Sequence, residues 1–137
     1  MKIVLLQYET DSDGIVISEE LIYRNRRALL KCGEWAVVNN SPIKDWNTVR
    51  ATYAVTHIPT GLKCVEFSNA DHAKEAALDL CSTPGIPPSP EIPDEVLRYP
   101  DWVTKDEYAD YRDILHEWVV TYIRPIVSEK WHENMYS

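Results

Sequence analysis

The chain has 137 residues, of which 45% are apolar and 26% are charged, values typical of a globular protein with one domain. They exclude a fibrous chain, a wholly disordered chain and a small fold that depends on disulfides, because a chain of this length buries enough surface to fold unaided. The net charge of −8 disfavours nucleic acid and anionic membranes as partners and favours a partner with a basic surface.

The N-terminal residues predict two strands joined by a turn. The apolar run at residues 2–8 is typical of a buried strand. Aspartate and glycine at 11–14 predict a turn, after which residues 15–17 return as a second short strand. A further strand is expected at 34–38, ahead of a polar loop at 39–47.

Between these strands the pattern predicts a helix over residues 18–32. Ser18 is a suitable N-cap, and Gly33 supplies the left-handed residue after the last turn. With about 100° per residue, Leu29 lies on the apolar face of this helix. Four basic side chains lie on or beside another flank: Arg24, Arg26, Arg27 and Lys31.

The clearest local pattern is a β-hairpin at residues 50–67. Two strand-like runs, 50–58 and 62–67, flank the sequence Ile-Pro-Thr-Gly, in which proline suits the second position of a turn and Gly61 the fourth. The expected register pairs Tyr53 with Phe67, Val55 with Val65, Thr56 with Cys64 and His57 with Lys63. The first two pairs form an apolar face, which should pack on a core.

The remaining residues predict helices on either side of a proline-rich segment. Asn69 is a suitable N-cap for a helix at 70–81 with a buried face of small residues. Five prolines at 82–93 predict an extended connector. A helix of roughly 25 residues should follow Thr104 as N-cap, and Pro125 should kink or divide it. Its apolar stripe consists of Tyr108, Tyr111, Leu115, Trp118, Tyr122, Ile126 and Val127.

These elements predict an α+β fold: an antiparallel sheet with helices packed on one face, and a kinked C-terminal helix after the Pro-rich connector. We expect an α+β domain at 1–83, a connector at 84–104 and a C-terminal helical element at 105–137 packed on the first part. The acid excess lies at the C-terminal end, since residues 1–83 carry 9 basic and 11 acidic side chains whereas 84–137 carry 5 and 11.

A row of four acidic residues on the C-terminal helix is the strongest candidate for a partner-binding site. The row consists of Asp106, Asp110, Asp113 and Glu117. Their spacing of 4, 3 and 4 residues places them on one helix face, opposite the apolar stripe. We expect this face to meet a basic partner surface, with Trp102 and Trp131 as aromatic contacts. A solvated face without a partner and a weak Mg²⁺ or Ca²⁺ site stay open as alternatives.

The basic flank of the predicted first helix suggests a second function. As a ligand-binding site, Arg24, Arg26, Arg27 and Lys31 would hold a phosphate, and aromatic side chains would stack on a base. In this alternative the protein sequesters a nucleotide-type signalling molecule. A solvated helix face is again the simpler interpretation of the cluster.

No catalytic motif is present, and we do not expect an enzyme; a small enzyme is the third alternative. Four glycines and no G-x-S-x-G leave nothing from which to build a phosphate loop or a nucleophile elbow. The histidines, expected at the surface or rim, are His57, His72, His116 and His132. The cysteines, expected reduced and half-buried, are Cys32, Cys64 and Cys81. Neither set has metal-ligand spacing, so we expect no cofactor or metal, and no apolar run is long enough to span a membrane.

The segment Tyr-Ala-Val-Thr-His-Ile-Pro-Thr-Gly-Leu at 53–62, followed by a short strand and an Ala-rich helix, resembles a unit in small accessory proteins of tailed bacteriophages. Most of those proteins have no assigned function. The resemblance implies a phage protein of the host bacterial cytoplasm, acting as an inhibitor that binds a host protein such as an anti-phage defence component. It implies no catalytic residues, and it leaves open the target and whether the chain forms a homo-oligomer.

Overall fold

A computed structural model of the chain describes residues 2–10, 16–39, 43–45, 48–49, 52–133 and 135–136. Side chains are described at residues 22–23, 25–39, 52–133 and 135. The predicted turn at 11–14 and the first residues of the predicted strand at 50–58 lie outside the described residues.

The fold is α+β, as predicted: an antiparallel sheet carries helices on one face. The strands are β1 (Lys2–Thr10), β2 (Val16–Cys32), β3 (Trp35–Asn39), β4 (Ile43–Asp45), β5 (Thr48–Val49), β6 (Tyr53–His57), β7 (Leu62–Phe67) and β8 (Met135–Tyr136). Six of them form one sheet in the order β1-β2-β3-β6-β7-β8, and β4 and β5 pair separately. Every neighbouring pair is antiparallel.

The predicted helix over residues 18–32 is wrong, because these residues belong to the long strand β2. β2 pairs with β1 on one side and with β3 on the other, so ladder hydrogen bonds override the local helical pattern. From Asn25 to Cys32 the side chains alternate between exposed and half-buried, which is the period of a strand. Leu29, expected on a buried helix face, is exposed, and Ser18 lies within the strand instead of capping a helix.

The hairpin of β6 and β7 has the predicted register at its open end and a different one near its turn. Tyr53 pairs with Phe67 and Val55 with Val65, as expected. The register then shifts by one, so Thr56 pairs with Lys63 and His57 with Leu62. Cys64 is therefore the extra residue of a β-bulge. Gly61 closes the turn with a φ of 73°, a conformation that favours glycine.

A helix of small residues then crosses the sheet. α1 (Ala70–Ser82) begins at Asn69, whose side chain accepts hydrogen bonds from the backbone N–H groups of Asp71 and His72, as predicted. The buried side chains of α1 are mostly alanine, which lets the helix lie close to β3 and β6. Residues 86–93 have no regular secondary structure, and the short helix α2 (Asp94–Leu97) and a 3₁₀ turn (Pro100–Val103) follow.

The C-terminal helix is continuous but changes its winding before Pro125. A 3₁₀ turn (Asp106–Tyr108) leads into α3 (Ala109–Trp118), a π-helical turn (Val119–Ile123) and α4 (Arg124–Trp131). The N–H of Arg124 bonds to the carbonyl of Val119, five residues back. This wider turn accommodates the proline ring, which would clash with a carbonyl in a regular α-helix. Thr104 is not the N-cap, because its hydroxyl donates to the carbonyl of Asp101.

The π-helical turn moves the buried stripe by one residue. Leu115 and Trp118 are buried as predicted, but the next buried residue is Ile123, and Tyr122 is 44% exposed. The stripe continues with Val127 and Trp131. The predicted stripe used a constant helical period, and the extra residue of the π turn breaks that period.

One hydrophobic core joins the sheet, the connector and the helices. It includes Val37 and Val55 from the sheet, Leu80 from α1 and Leu115 from α3. The opposite sheet face is also buried, at Ala36, Val38 and Ala54. β1 at the sheet edge contacts β7, so the sheet curls. The C-terminal helical element thus packs on the first part, and the division at 83/84 and 104/105 stays a prediction.

Candidate functional site

The acidic face of the C-terminal helix is exposed along its whole length. It consists of Asp106, Asp110, Asp113 and Glu117, and all four side chains are exposed. Among the described residues, none of the four carboxylates forms an ion pair; the nearby Lys105 pairs instead with Asp101 and Glu107. The acidic face therefore carries an uncompensated negative charge.

Two aliphatic side chains accompany the acidic face. Ile114 is 52% exposed and Val120 is 45% exposed. Ile114 is four residues after Asp110 and Val120 is three residues after Glu117, so each is a neighbour of one of the carboxylates on the helix surface. The face is therefore mixed, with carboxylates along its centre and an apolar side chain near each border.

Trp102 and Trp131, predicted as partner contacts, are instead core residues. Trp102 is 0% exposed, and its indole N–H donates to the hydroxyl of Tyr23 at 3.0 Å. Trp131 is 9% exposed and packs edge-to-face on Phe67, with 6.1 Å between ring centroids. Docking the C-terminal helical element on the sheet buries both rings, so neither is available to a partner.

The four basic residues proposed as a ligand site do not form a common flank. They lie on strand β2 and not on a helix, so consecutive side chains point to opposite faces of the sheet. Arg26 is half-buried, while Arg27 and Lys31 are exposed. Arg24 lies opposite Leu5 in the β1–β2 ladder, and its side chain lies outside the described part. On a strand, these residues do not form the single basic flank that a helix would give them.

A cavity that the sequence did not predict lies between the hairpin and the C-terminal helix. This hairpin–helix cavity has a volume of about 360 Å³. Its walls come from the turn end of the hairpin, from the 3₁₀ turn at Trp102 and Val103, and from residues 112–124 of the C-terminal helix. Of the described residues that line it, the long basic side chains are Lys63, Arg112 and Arg124, and Asp113 is the only carboxylate. A chain with 22 acidic and 14 basic residues thus concentrates positive charge here.

His57 is buried, contrary to its predicted place at the surface or rim. Its ring lies against Trp35 and Trp118, with centroid distances of 5.5 and 5.3 Å. Nδ1 is 2.9 Å from the hydroxyl of Thr60. Nε2 forms no hydrogen bond with a described residue and lies 3.6 Å from the Glu34 carboxylate. Burial lowers the pKa of His57, and Glu34 offsets part of this shift, so the ring is neutral at pH 7.

The remaining reactive groups are the cysteine thiols and the side chains that could hold a metal ion. Burial raises the pKa of the Cys64 thiol to about 12, so it is protonated and unreactive although it lies in the cavity wall. The thiol of Cys81 is 2.7 Å from the carbonyl oxygen of Cys32. Across the described ranges, no three His, Cys, Asp or Glu side chains are placed to hold a metal ion. No helix in the same part of the chain has the length and apolar character that crossing a membrane requires.

The chain matches no protein family model, no curated protein and no solved structure. Function is therefore inferred from the residues and their geometry.

Proposed function

We propose that the protein is a non-catalytic binding protein whose acidic face binds an arginine- or lysine-rich surface of a partner protein. The observation that supports this proposal is the row of four exposed carboxylates without ion pairs among the described residues. Carboxylates at this spacing on a helix repel one another by a few tenths of a kcal/mol per pair. Cations of a partner would remove that repulsion.

The exposed Ile114 and Val120 add an apolar component to this surface. Exposed charges contribute mainly to the rate and specificity of association, whereas buried apolar contacts slow dissociation. A partner that covers the acidic face would bury both aliphatic side chains along with the carboxylates. The face thus has the polar and apolar groups that a protein interface needs.

The biological setting of the proposal comes from the resemblance of residues 53–62 and the following helix to small phage accessory proteins. On this basis we propose a phage-encoded inhibitor that binds a host protein, such as an anti-phage defence component, in the bacterial cytoplasm. An inhibitor of this kind needs no catalytic group. The acidic face would act by occupying a basic surface on the host protein.

The alternative is still that the protein sequesters a nucleotide-type signalling molecule, for which the four basic residues of β2 were the expected phosphate ligands. It required Arg24, Arg26, Arg27 and Lys31 on one helix flank, and these residues lie on a strand.

A charge-reversal experiment tests the acidic face. The acidic-face variant carries D106K, D110K, D113K and E117K, which changes the net charge from −8 to zero. A control variant carries E91K, D94K, E95K and E129K, exposed acidic residues away from this face, and reaches the same net charge. The control is needed because a protein without net charge associates non-specifically. All three proteins are immobilised and exposed to bacterial lysate, and retained proteins are quantified by mass spectrometry.

We expect a basic-surfaced protein that the wild type and the control variant retain and that the acidic-face variant loses. Raising the salt concentration should elute it, because exposed charges are screened. Circular dichroism should show that both variants are folded, since none of the eight side chains is buried. Equal retention of every captured protein by all three would contradict the proposal.

A further inference from the structure

Two arginines line the hairpin–helix cavity, and neither forms an ion pair with a carboxylate in the described part of the chain. Arg124 is half-buried and forms no ion pair with a described residue. Arg112, also half-buried, donates from one terminal nitrogen to the carbonyls of Trp102 and Lys105. Two neutral carbonyl groups therefore position Arg112 and leave its charge in place. A half-buried cation without an anionic partner is costly.

The other charged groups around the cavity do not supply the missing anion. Lys63 is paired with Glu66 at 2.7 Å, so its charge is compensated outside the cavity. Asp113 is exposed on the acidic face and forms no ion pair with either arginine. Burial lowers the pKa of His57 and raises that of Cys64, so both side chains are uncharged. His116 is exposed and adds no negative charge.

The remaining wall of the cavity is apolar. Leu62, Val103 and Val119 line it and are half-buried, and Val120 is exposed, so these side chains offer apolar surface to a ligand. A volume of about 360 Å³ is at the lower end of the range for sites that hold small organic ligands. Inorganic phosphate alone would leave this apolar surface uncovered.

We propose that the hairpin–helix cavity binds a small organic anion, with its phosphate or carboxylate group against Arg124 and its apolar or aromatic body against Leu62 and Val119. Guanidinium groups bind both kinds of oxyanion through paired N–H donors. The cavity's walls also exclude water from one side of the ion pair, which strengthens it. The cavity adjoins the acidic face, because Asp113 and Val120 line it, but Arg124 lies outside the row of four carboxylates, so its replacement tests the cavity alone.

Two probes and their fragments test the ligand class. The probes are adenosine 5′-monophosphate and 2-naphthoate; the anionic fragments are inorganic phosphate and acetate, and the uncharged bodies are adenosine and 2-naphthamide. Isothermal titration calorimetry at low salt measures each. We expect at least one probe to have a Kd about tenfold or more below that of either of its fragments. If that probe is adenosine 5′-monophosphate, the cavity prefers a phosphate ligand; if it is 2-naphthoate, the cavity prefers a carboxylate ligand.

A matched pair of variants tests the position of the site. R124Q removes a charge from the cavity wall, and R98Q makes the same change at an exposed arginine outside it. R124Q should lower the affinity for the probe that binds the wild type by about tenfold or more, because a charge-assisted hydrogen bond is lost. R98Q should leave binding unchanged, and R124K should restore part of it. In NMR spectra the backbone amide signal of Val119 should shift on binding, while the indole N–H signal of Trp131, outside the cavity lining, should not.

Three results would overturn the proposal. The first is that neither probe binds the wild type at millimolar concentration. The second is that the fragments bind as well as the intact probes, and the third is that R124Q and R98Q have equal effects. Melting curves of the variants without ligand separate loss of binding from loss of folding.

Discussion

Two adjacent residues test how the C-terminal helix is wound. Ile123→Ala should destabilise the protein strongly, whereas Tyr122→Ala should change its stability little. Ile123 is 0% exposed and lies in the main core, while Tyr122 is 44% exposed. A regular α-helix with the predicted stripe would give the reverse order, because Tyr122 would then face the core. The comparison therefore tests the π-helical turn itself.

The magnitude follows from burial. Removing the side chain of a fully buried isoleucine costs about 2–5 kcal/mol, depending on how far the cavity collapses. For Tyr122 the lost contacts are partial, and alanine has the higher helix propensity by up to roughly 0.7 kcal/mol, so the net cost should stay below about 1 kcal/mol. Domains of this size have a stability of about 5–15 kcal/mol, so the first change is a large fraction of the total and the second is not.

Urea unfolding followed by far-UV circular dichroism measures both variants. The midpoint for Ile123→Ala should fall clearly while the slope stays that of the wild type, which shows that the loss is one of stability. The midpoint for Tyr122→Ala should stay close to the wild type. Equal losses, or a larger loss for Tyr122→Ala, would refute the assignment of the π turn.

Three further predictions concern the hairpin. Phe67→Ala should cost about 3–5 kcal/mol in urea unfolding, because Phe67 is 0% exposed; an unchanged midpoint would contradict its place in the core. Burial lowers the pKa of His57 from its ordinary 6.5, so the unfolded chain binds more protons and stability should fall as the pH drops below 6.5. Glu34→Gln should steepen that loss, because Glu34 raises the pKa of His57; urea midpoints that do not depend on pH would refute this. Cys64, with its pKa raised to about 12, should resist alkylation until the protein unfolds, as peptide mass mapping would show; rapid labelling of the native protein would oppose it.

The elements that were predicted correctly are those that local chemistry determines. Asn69 caps α1 because the N–H groups that donate to its side chain belong to Asp71 and His72, which follow it closely in the sequence. The open end of the hairpin follows from alternation and from a turn that requires Gly61. The acidic face is exposed because four carboxylates on one side of a helix have no favourable place in a core.

The errors arose where distant parts of the chain decide the structure. β2 is a strand because β1 and β3 pair with both of its edges, and no local propensity contains that information. From Arg27 to Cys32 the polar and apolar residues alternate except at Leu29, and this was the available signal for a strand. The bulge at Cys64 and the π turn each insert one residue into a regular period. Each insertion changes the face on which the following side chains lie.

The hairpin–helix cavity could not be derived from the sequence. Its walls come from residues 57–64, 102–103 and 112–124, which only the tertiary packing brings together. The burial of Trp102 follows from the same packing, since its indole donates to the hydroxyl of Tyr23, 79 residues earlier in the chain. A sequence pattern indicates which residues prefer a core, but it does not show which segments meet there.

The central claim, that the acidic face binds a basic partner surface, is tested most directly by the association rate constant of the captured partner as a function of salt. For the wild type and the control variant, the rate should be high at low salt and should fall steeply as salt rises, because exposed charges steer the encounter. For the acidic-face variant, the rate should be low and should no longer fall as salt rises. Equal rate constants for the acidic-face variant and the wild type at low salt would contradict the claim.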